Sequence, residues 1–343
     1  MKNNIGVAVV GLSGMGKLHI KGILAHPHAH LAAVCDINEE RLQVFKEEFH
    51  APVAVNDYKE LLNIPEIDAV VLVVPDGLHL EMTEAFLRAG KDVLCEKPMA
   101  LNLGDCEKML RAEKETGRKL MIGQVCRCTP AFVMAKKMVE EGRIGELFFV
   151  ESEYAHNYEK SRGTNDWRVV PERHGFIGGG CHAVDLLRWI AGNPSEVFAY
   201  ANHKCLPDWP TDDCAVALYS FPNNVAGKVF VSTGCFRNYT MRSVFYGTKG
   251  TIICDNTSPT ITLFEAGLPD TAEGRRSYTL PQELPVEINN HNITEEIAVF
   301  IDALLAGGDM PVSALEGAST VAVCCATVEA ANKHMPVQIR YPE

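Results

Sequence analysis

A chain of 343 residues is longer than one compact core usually serves and points to about two domains. Its 47% hydrophobic and 22% charged residues are those of an ordinary globular protein, and a net charge of −12 argues against nucleic acid or an anionic lipid surface as a partner. Met1-Lys2-Asn3-Asn4 runs straight into an apolar strand pattern, and no window reaches the roughly 18 apolar residues of a membrane span, so a cytoplasmic location is expected.

The first pattern is an apolar, β-branched run, Val7 to Val10, followed by the turn Gly11-Leu12-Ser13-Gly14-Met15-Gly16, a helical stretch, and a second apolar run ending at Asp36. This is the order of a dinucleotide-binding βαβ unit, in which backbone N–H groups at a helix start face a pyrophosphate. The G-x-G-x-x-G pattern aligns on Gly11, Ser13 and Gly16, with Ser in the middle position and Gly14 beside it. Asp36 follows Gly16 by twenty residues, where a carboxylate accepts from ribose hydroxyls and repels a 2′-phosphate. NAD is therefore the expected cofactor, and Arg41, in the next helix, leaves NADP open.

Helices are expected over Glu39–Phe49 and Tyr58–Leu62, then a parallel strand over Ile67–Val74. The turn Pro75-Asp76-Gly77-Leu78-His79 follows at the carboxyl end of that strand, the edge where ligands sit in open α/β sheets. His79 opens the helix Leu80–Ala89 and either caps it, lines the cofactor pocket or does chemistry. The strand Asp92–Cys95 delivers Glu96-Lys97-Pro98, and Pro98 holds Lys97 out of helical geometry. Lys97 is either a substrate-oxygen ligand or part of a surface turn. Helix Leu103–Thr116 and strand Lys119–Ile122 complete the alternation, with the domain boundary near 123. The expected domains are 1–122, binding NAD(P), and 123–343, binding substrate and mediating oligomerisation, with the terminal helices 293–334 packing back on the first.

After a helix over Pro130–Glu141, short strands alternate with turns: Leu147–Tyr158, Val197–Tyr200, Cys214–Phe221, Ala226–Thr233, Arg242–Tyr246 and Gly250–Cys254. Their spacing predicts a largely antiparallel sheet. One helix interrupts them, from the glycine-rich Gly175–Gly180 through Ile190 to Gly192. His182 and Asp185 are three apart and share a face, and the helix dipole keeps a first-turn His182 neutral and able to accept a proton. A capping or packed histidine is the alternative. Two helices, Glu295–Leu305 and Ala314–His334, and a strand, Val337–Ile339, end the chain. The twelve cysteines are scattered, and Cys126-x-Cys128 and Cys324-Cys325 lack zinc-site spacing, so free thiols and no metal are expected. Cys181, beside His182, reads as a small buried hydrophobe or as a ligand or nucleophile.

Taken in order, the glycine turn with Asp36, the Val74–His79 loop, Cys95-Glu96-Lys97-Pro98-Met99-Ala100, Trp167-Arg168, and Gly178-Gly179-Gly180 with His182 and Asp185 resemble the glucose/fructose oxidoreductase and inositol dehydrogenase (Gfo/Idh/MocA) family. The resemblance implies an N-terminal Rossmann domain, doubly wound on a parallel sheet, and a C-terminal α/β domain on a large, mostly antiparallel open sheet that commonly forms dimers or tetramers. It also implies an NAD(P)-dependent dehydrogenase acting on a secondary alcohol of a sugar, inositol or related polyol.

By the same resemblance Lys97 contacts the reacting oxygen, His182 is the acid/base group, and Asp185 lies by the substrate as a further catalytic candidate. Gly11, Ser13, Gly14, Met15, Gly16, Asp36, Pro75, His79, Glu96 and Lys97 are the cofactor contacts. Arg127, Tyr154, His156, Trp167, Arg168 and His174 are substrate candidates, with Arg168 and His156 foremost. One departure stands out: the first position of the family's D-x-x-x-H-x-x-D pattern is Gly178, so the carboxylate that would partner the histidine is missing. Two further functions stay open: glycoside cleavage by transient oxidation and elimination, and a non-catalytic dinucleotide sensor.

Overall fold

The computed structural model describes residues 3–266 and 280–342, which divide into two compact units. The first comprises Met1–Val125, Asn292–Val321 and the last two residues; the second comprises Cys126–His291 and Ala322–Tyr341.

In the first unit, strands and helices alternate as β1 (Ile5–Val10), α1 (Gly14–Ala25), β2 (Ala29–Cys35), α2 (Glu39–Glu48), β3 (Val53–Val55), β4 (Ala69–Leu72), α3 (His79–Arg88), β5 (Asp92–Glu96), α4 (Leu103–Thr116) and β6 (Leu120–Gly123). The strands form one parallel sheet in the order β3-β2-β1-β4-β5-β6. Every residue of β1, β4 and β6 is buried, as uninterrupted apolar runs covered on both faces require. The strand order reverses between β1 and β4, and the carboxyl ends of these strands make the edge that the glycine turn and the Pro75 turn occupy. β4 is shorter than the expected Ile67–Val74, because Val73 and Val74 already belong to the turn.

Asparagine starts several of the helices: Asn38 accepts from the Arg41 N–H and Asn102 from the Asp105 N–H, relieving donors that have no partner within the helix. Gly117, at φ 64°, closes α4.

The second unit carries α5 (Pro130–Glu140), β7 (Leu147–Ala155), α6 (Gly175–Gly178), α7 (Cys181–Ala191), β8 (Glu196–Asn202), β9 (Cys214–Ser220), β10 (Ala226–Ser232), β11 (Thr240–Gly247), β12 (Gly250–Asp255), β13 (Thr260–Glu265) and β14 (Gln282–Pro285). α8 (Ile293–Ala306) belongs to the first unit, where Gly22 of α1 gives it room: a Cβ there would lie 3.1 Å from Ile297. α9 (Ala314–Lys333) gives Ala314–Val321 to the first unit and Ala322–Lys333 to the second, and β15 (Val337–Gln338) follows. The nine-stranded sheet runs β14-β13-β12-β11-β7-β10-β9-β8-β15, antiparallel throughout except where β10 lies parallel to β7.

Three details differ from the sequence expectations. The glycine-rich helix is two helices, broken at Gly179, where a Cβ would strike the Tyr158 hydroxyl and the Tyr154 ring. Strands β13 and β14 extend the sheet past β12, where the sequence pattern predicts no strand before Val337. α9 is, among the described residues, long and apolar enough to cross a membrane, yet Ala314, Ala318, Val323, Cys324 and Ala330 are fully buried in protein packing. All twelve cysteines are free thiols.

Candidate active site

The turn after β1 is built for close backbone approach. Gly11 has φ 94°, and a Cβ there would collide with the Val73 carbonyl; a Cβ at Gly16 would collide with the Gly11 carbonyl. Gly14 has open space around its Cβ position, and the first turn of α1, with Met15 and Gly16, has neither an acidic residue nor a side-chain cap from Ser13. The helix start is therefore kept for an outside anion. Asp36 ties this turn to the end of β2: Oδ2 accepts from the Leu12 N–H at 2.8 Å, Oδ1 from Asn38 N–H at 2.8 Å, and Arg41 Nη1 lies 3.1 Å from Oδ2. These residues fit a dinucleotide.

Further along the same sheet edge, Pro75 precedes a single 3-10 turn and His79 is fully buried at the start of α3. Its Nδ1 is 2.9 Å from the Pro98 carbonyl and its Nε2 3.1 Å from the Val74 carbonyl, so both ring nitrogens meet acceptors and the doubly protonated ring satisfies both. Burial pushes the His79 pKa down, but Cys95, Asp76 and the Pro98 carbonyl outweigh it and raise it to about 10. His79 is thus a strut between the Val74 turn and the peptide after Lys97.

Glu96 and Lys97 stand at the carboxyl end of β5. The Lys97 N–H donates to Glu96 Oε2 at 3.2 Å, and the Lys97-Pro98 peptide is cis. Two buried residues that the sequence reading did not single out complete this corner. His19 Nε2 is 2.9 Å from Glu96 Oε1, and ligand atoms of His19, Glu96 and Glu296 all lie within 4.8 Å of one another. Glu296 is 1% exposed and neither of its carboxyl oxygens has a hydrogen-bond partner. Burial and the Glu96 charge hold its carboxyl well above the usual range, against the pull of Lys97. Glu96 goes the other way: burial raises its carboxyl, but the His19 hydrogen bond and the Lys97 charge lower it below the ordinary value. The corner thus favours the proton on Glu296 over Glu96. His19, in phase with the glycine turn at G-x-x-H, was the available clue; Glu296 gave none.

In the second unit, His182 is the second residue of α7 and 2% exposed. Its ring stacks on Tyr154 at 6.0 Å between centroids and 20° between planes, and its Nδ1 lies 3.2 Å from Cys126 Sγ. The Tyr154 hydroxyl meets His156 Nδ1 at 3.2 Å and the Tyr158 hydroxyl at 2.8 Å, and Tyr239 meets His291 Nε2 at 3.1 Å. Burial holds the Tyr154 and Tyr239 phenols protonated, far above their usual range. His156, Tyr154 and His182 are therefore brought into one aromatic cluster, joined by Tyr158, Tyr239 and His291.

The other sequence candidates are placed differently. Both oxygens of Asp185, which is fully buried, are taken by Arg127 at 2.8 and 2.7 Å. Trp167 meets two guanidiniums, Arg168 at 4.7 Å and Arg173 at 5.0 Å from its ring centre. His174 caps α6, accepting from Phe176 N–H at 3.0 Å. Arg173 occupies the space beside Gly178: a Cβ there would meet its guanidinium, whose Nη2 donates to the Gly178 carbonyl at 3.2 Å. Where the resemblance leads one to expect a carboxylate, the protein holds a buried cation.

Comparison with known proteins decides the family. Residues 5–124 match the model of the oxidoreductase family with an NAD-binding Rossmann fold, and residues 132–253 match the GFO/IDH/MocA C-terminal domain. The chain belongs to the Gfo/Idh/MocA family of NAD-binding oxidoreductases. Over 100% of this chain and 99% of the relative, it is 26% identical to the uncharacterized oxidoreductase YrbE of Bacillus subtilis. It is 28% identical to the myo-inositol 2-dehydrogenase of Thermotoga maritima, with 91% of each covered. A solved levoglucosan dehydrogenase in complex with NADH shares the fold at a TM-score of 0.88 and 24% identity, covering 98% of this chain and 100% of that one. A probable dehydrogenase structure from Thermotoga maritima gives a TM-score of 0.82 at 26% identity, with 97% and 98% covered. The chain is a dehydrogenase-family enzyme with an NAD-binding Rossmann domain.

Proposed function

We propose that this enzyme oxidises a secondary alcohol of a sugar, inositol or related polyol, or reduces the matching ketone, with Lys97 binding the reacting oxygen and His182 moving its proton. NAD, when bound, accepts the hydride from the carbinol carbon. The observation that carries the reading is Lys97 at the end of β5, on the same carboxyl edge as the Gly11–Gly16 turn, held there by Glu96, Pro98 and the His79 strut. An ammonium there stabilises negative charge developing on an alkoxide. His182, stacked on Tyr154, supplies the base. Relatives support the substrate class: several are inositol 2-dehydrogenases, and another is a levoglucosan dehydrogenase.

Asp36 selects the unphosphorylated ribose, with Arg41 pairing to its carboxylate unless a 2′-phosphate competes for it. Asp185, with both oxygens accepting from Arg127, acts by holding that guanidinium in place. The cytoplasm is the proposed location. A second copy of the chain is the proposed partner for the open sheet: Tyr200 pairs with Val216 and Phe198 with Leu218 on one face, where Tyr200 and Leu218 are more than half exposed.

The test is a difference spectrum of the purified protein with NAD across sugars, inositols and sugar acids. Stoichiometric NADH formation with one class supports the reading. Gly178, lacking the partner carboxylate, keeps glycoside cleavage as a second reading, distinguished by product release without net NADH.

A further inference from the structure

With Gly178 and Arg173 removing any carboxylate at that position, His182 needs another group to fix its tautomer. The hydrogen-bond geometry supplies one. Cys126, fully buried, sits with Sγ 3.2 Å from His182 Nδ1 and 3.2 Å from Met241 Sδ. A thioether has no proton to give, so the contact with Met241 is a hydrogen bond only with the thiol as donor. The Cys126 sulfur then accepts at Nδ1, and the imidazole N–H must be on that nitrogen.

The rest of the network agrees with this assignment. The Tyr239 hydroxyl donates to Met241 Sδ at 3.3 Å and accepts from His291 Nε2 at 3.1 Å. The two donors, Tyr239 and Cys126, converge on the one thioether. Protonated at Nδ1, His182 carries its lone pair on Nε2, the form of the ring that accepts a proton from an alcohol.

We propose that Cys126 is the positioning residue of this enzyme: its thiol, held by Met241, takes the carboxylate's place at His182 Nδ1 and presents Nε2 as the base. The inference rests on the reading of His182 as the acid/base group, but its structural half does not. A neutral thiol also differs from a carboxylate in chemistry: it fixes the tautomer without adding the negative charge that would favour imidazolium.

The test uses full-length protein labelled with ¹⁵N at histidine, with His182→Gln locating the resonances. Long-range ¹H–¹⁵N correlations are expected to show His182 protonated at Nδ1 in the wild type and to lose that preference in Cys126→Ala. A wild-type ring protonated at Nε2 overturns the proposal, and this readout needs no turnover. In kinetics, Cys126→Ala is expected to lower kcat about tenfold with KM little changed, as for the loss of one hydrogen bond's worth of preference. Cys126→Ser, which keeps a donor and an acceptor, is expected to restore most of it and the wild-type pH profile. Equal kcat and pH profile in wild type and Cys126→Ala also overturn the proposal. If His182→Ala keeps full turnover, it is the acid/base reading that fails, and the tautomer measurement still decides the role of Cys126.

Discussion

Arg127 grips Asp185 through two parallel hydrogen bonds, Nε to Oδ2 at 2.8 Å and Nη2 to Oδ1 at 2.7 Å, and neither side chain is more than 8% exposed. Such a pair is costly to break from one side, because the surviving charge is left buried, at about 3–5 kcal/mol. Asp185→Asn should therefore lower unfolding stability by about 3 kcal/mol, read from a denaturant midpoint. Full stability with turnover abolished would instead place Asp185 on the substrate.

Asp36 both pins the Leu12 N–H and pairs with Arg41. Asp36→Ala removes a ribose acceptor and releases a cation where a 2′-phosphate would lie. NAD binding should weaken about tenfold while NADP binding strengthens, measured by fluorescence titration, one tenfold step being about 1.4 kcal/mol. Parallel weakening of both cofactors would mean that Asp36 serves only the turn.

His79 carries a pH signature. Its pKa is raised from 6.5 to about 10 in the folded protein, with burial opposing and Cys95, Asp76 and the Pro98 carbonyl favouring the charged ring. The folded state thus binds the proton more tightly than the unfolded state, so this stabilisation is complete below pH 6.5 and fades as pH rises to about 10. Chemical denaturation at several pH values should show stability falling across that window, and His79→Gln should flatten the fall. The same slope in both proteins would mean that the ring is neutral.

Much of this was legible in the sequence. Gly11, Gly16 and Asp36 stand at intervals set by one turn, one helix and one strand, and the unbroken, β-branched apolar runs of β1 and β4 between turn residues read as strands covered on both faces. What was not legible depends on tertiary partners. β10 lies parallel to β7, but an alternating strand reads the same in either direction. Gly179, at the break between α6 and α7, has no room for a Cβ against Tyr154 and Tyr158, a packing constraint that no local pattern encodes. Cys126 and His182 are 56 residues apart, and only the folded chain brings the Arg173 guanidinium against Gly178. The corner of His19, Glu96 and Glu296 joins three separate elements.

The exposed apolar rows of β8 and β9 give a prediction about assembly. Leu218, 55% exposed, lies opposite Phe198 in register. Leu218→Glu should shift the mass measured by light scattering to that of a single chain while leaving NAD binding intact. An unchanged mass would put the contact elsewhere or leave the chain a monomer from the start.

The most direct measurement of the proposed chemistry compares wild type and His182→Ala on whichever polyol yields NADH. Turnover should fall about 10²- to 10⁴-fold, the ordinary contribution of a positioned acid/base group, with the NAD dissociation constant nearly unchanged. Retained turnover, or an equal loss of turnover and NAD affinity, would contradict His182 as the proton-transferring group.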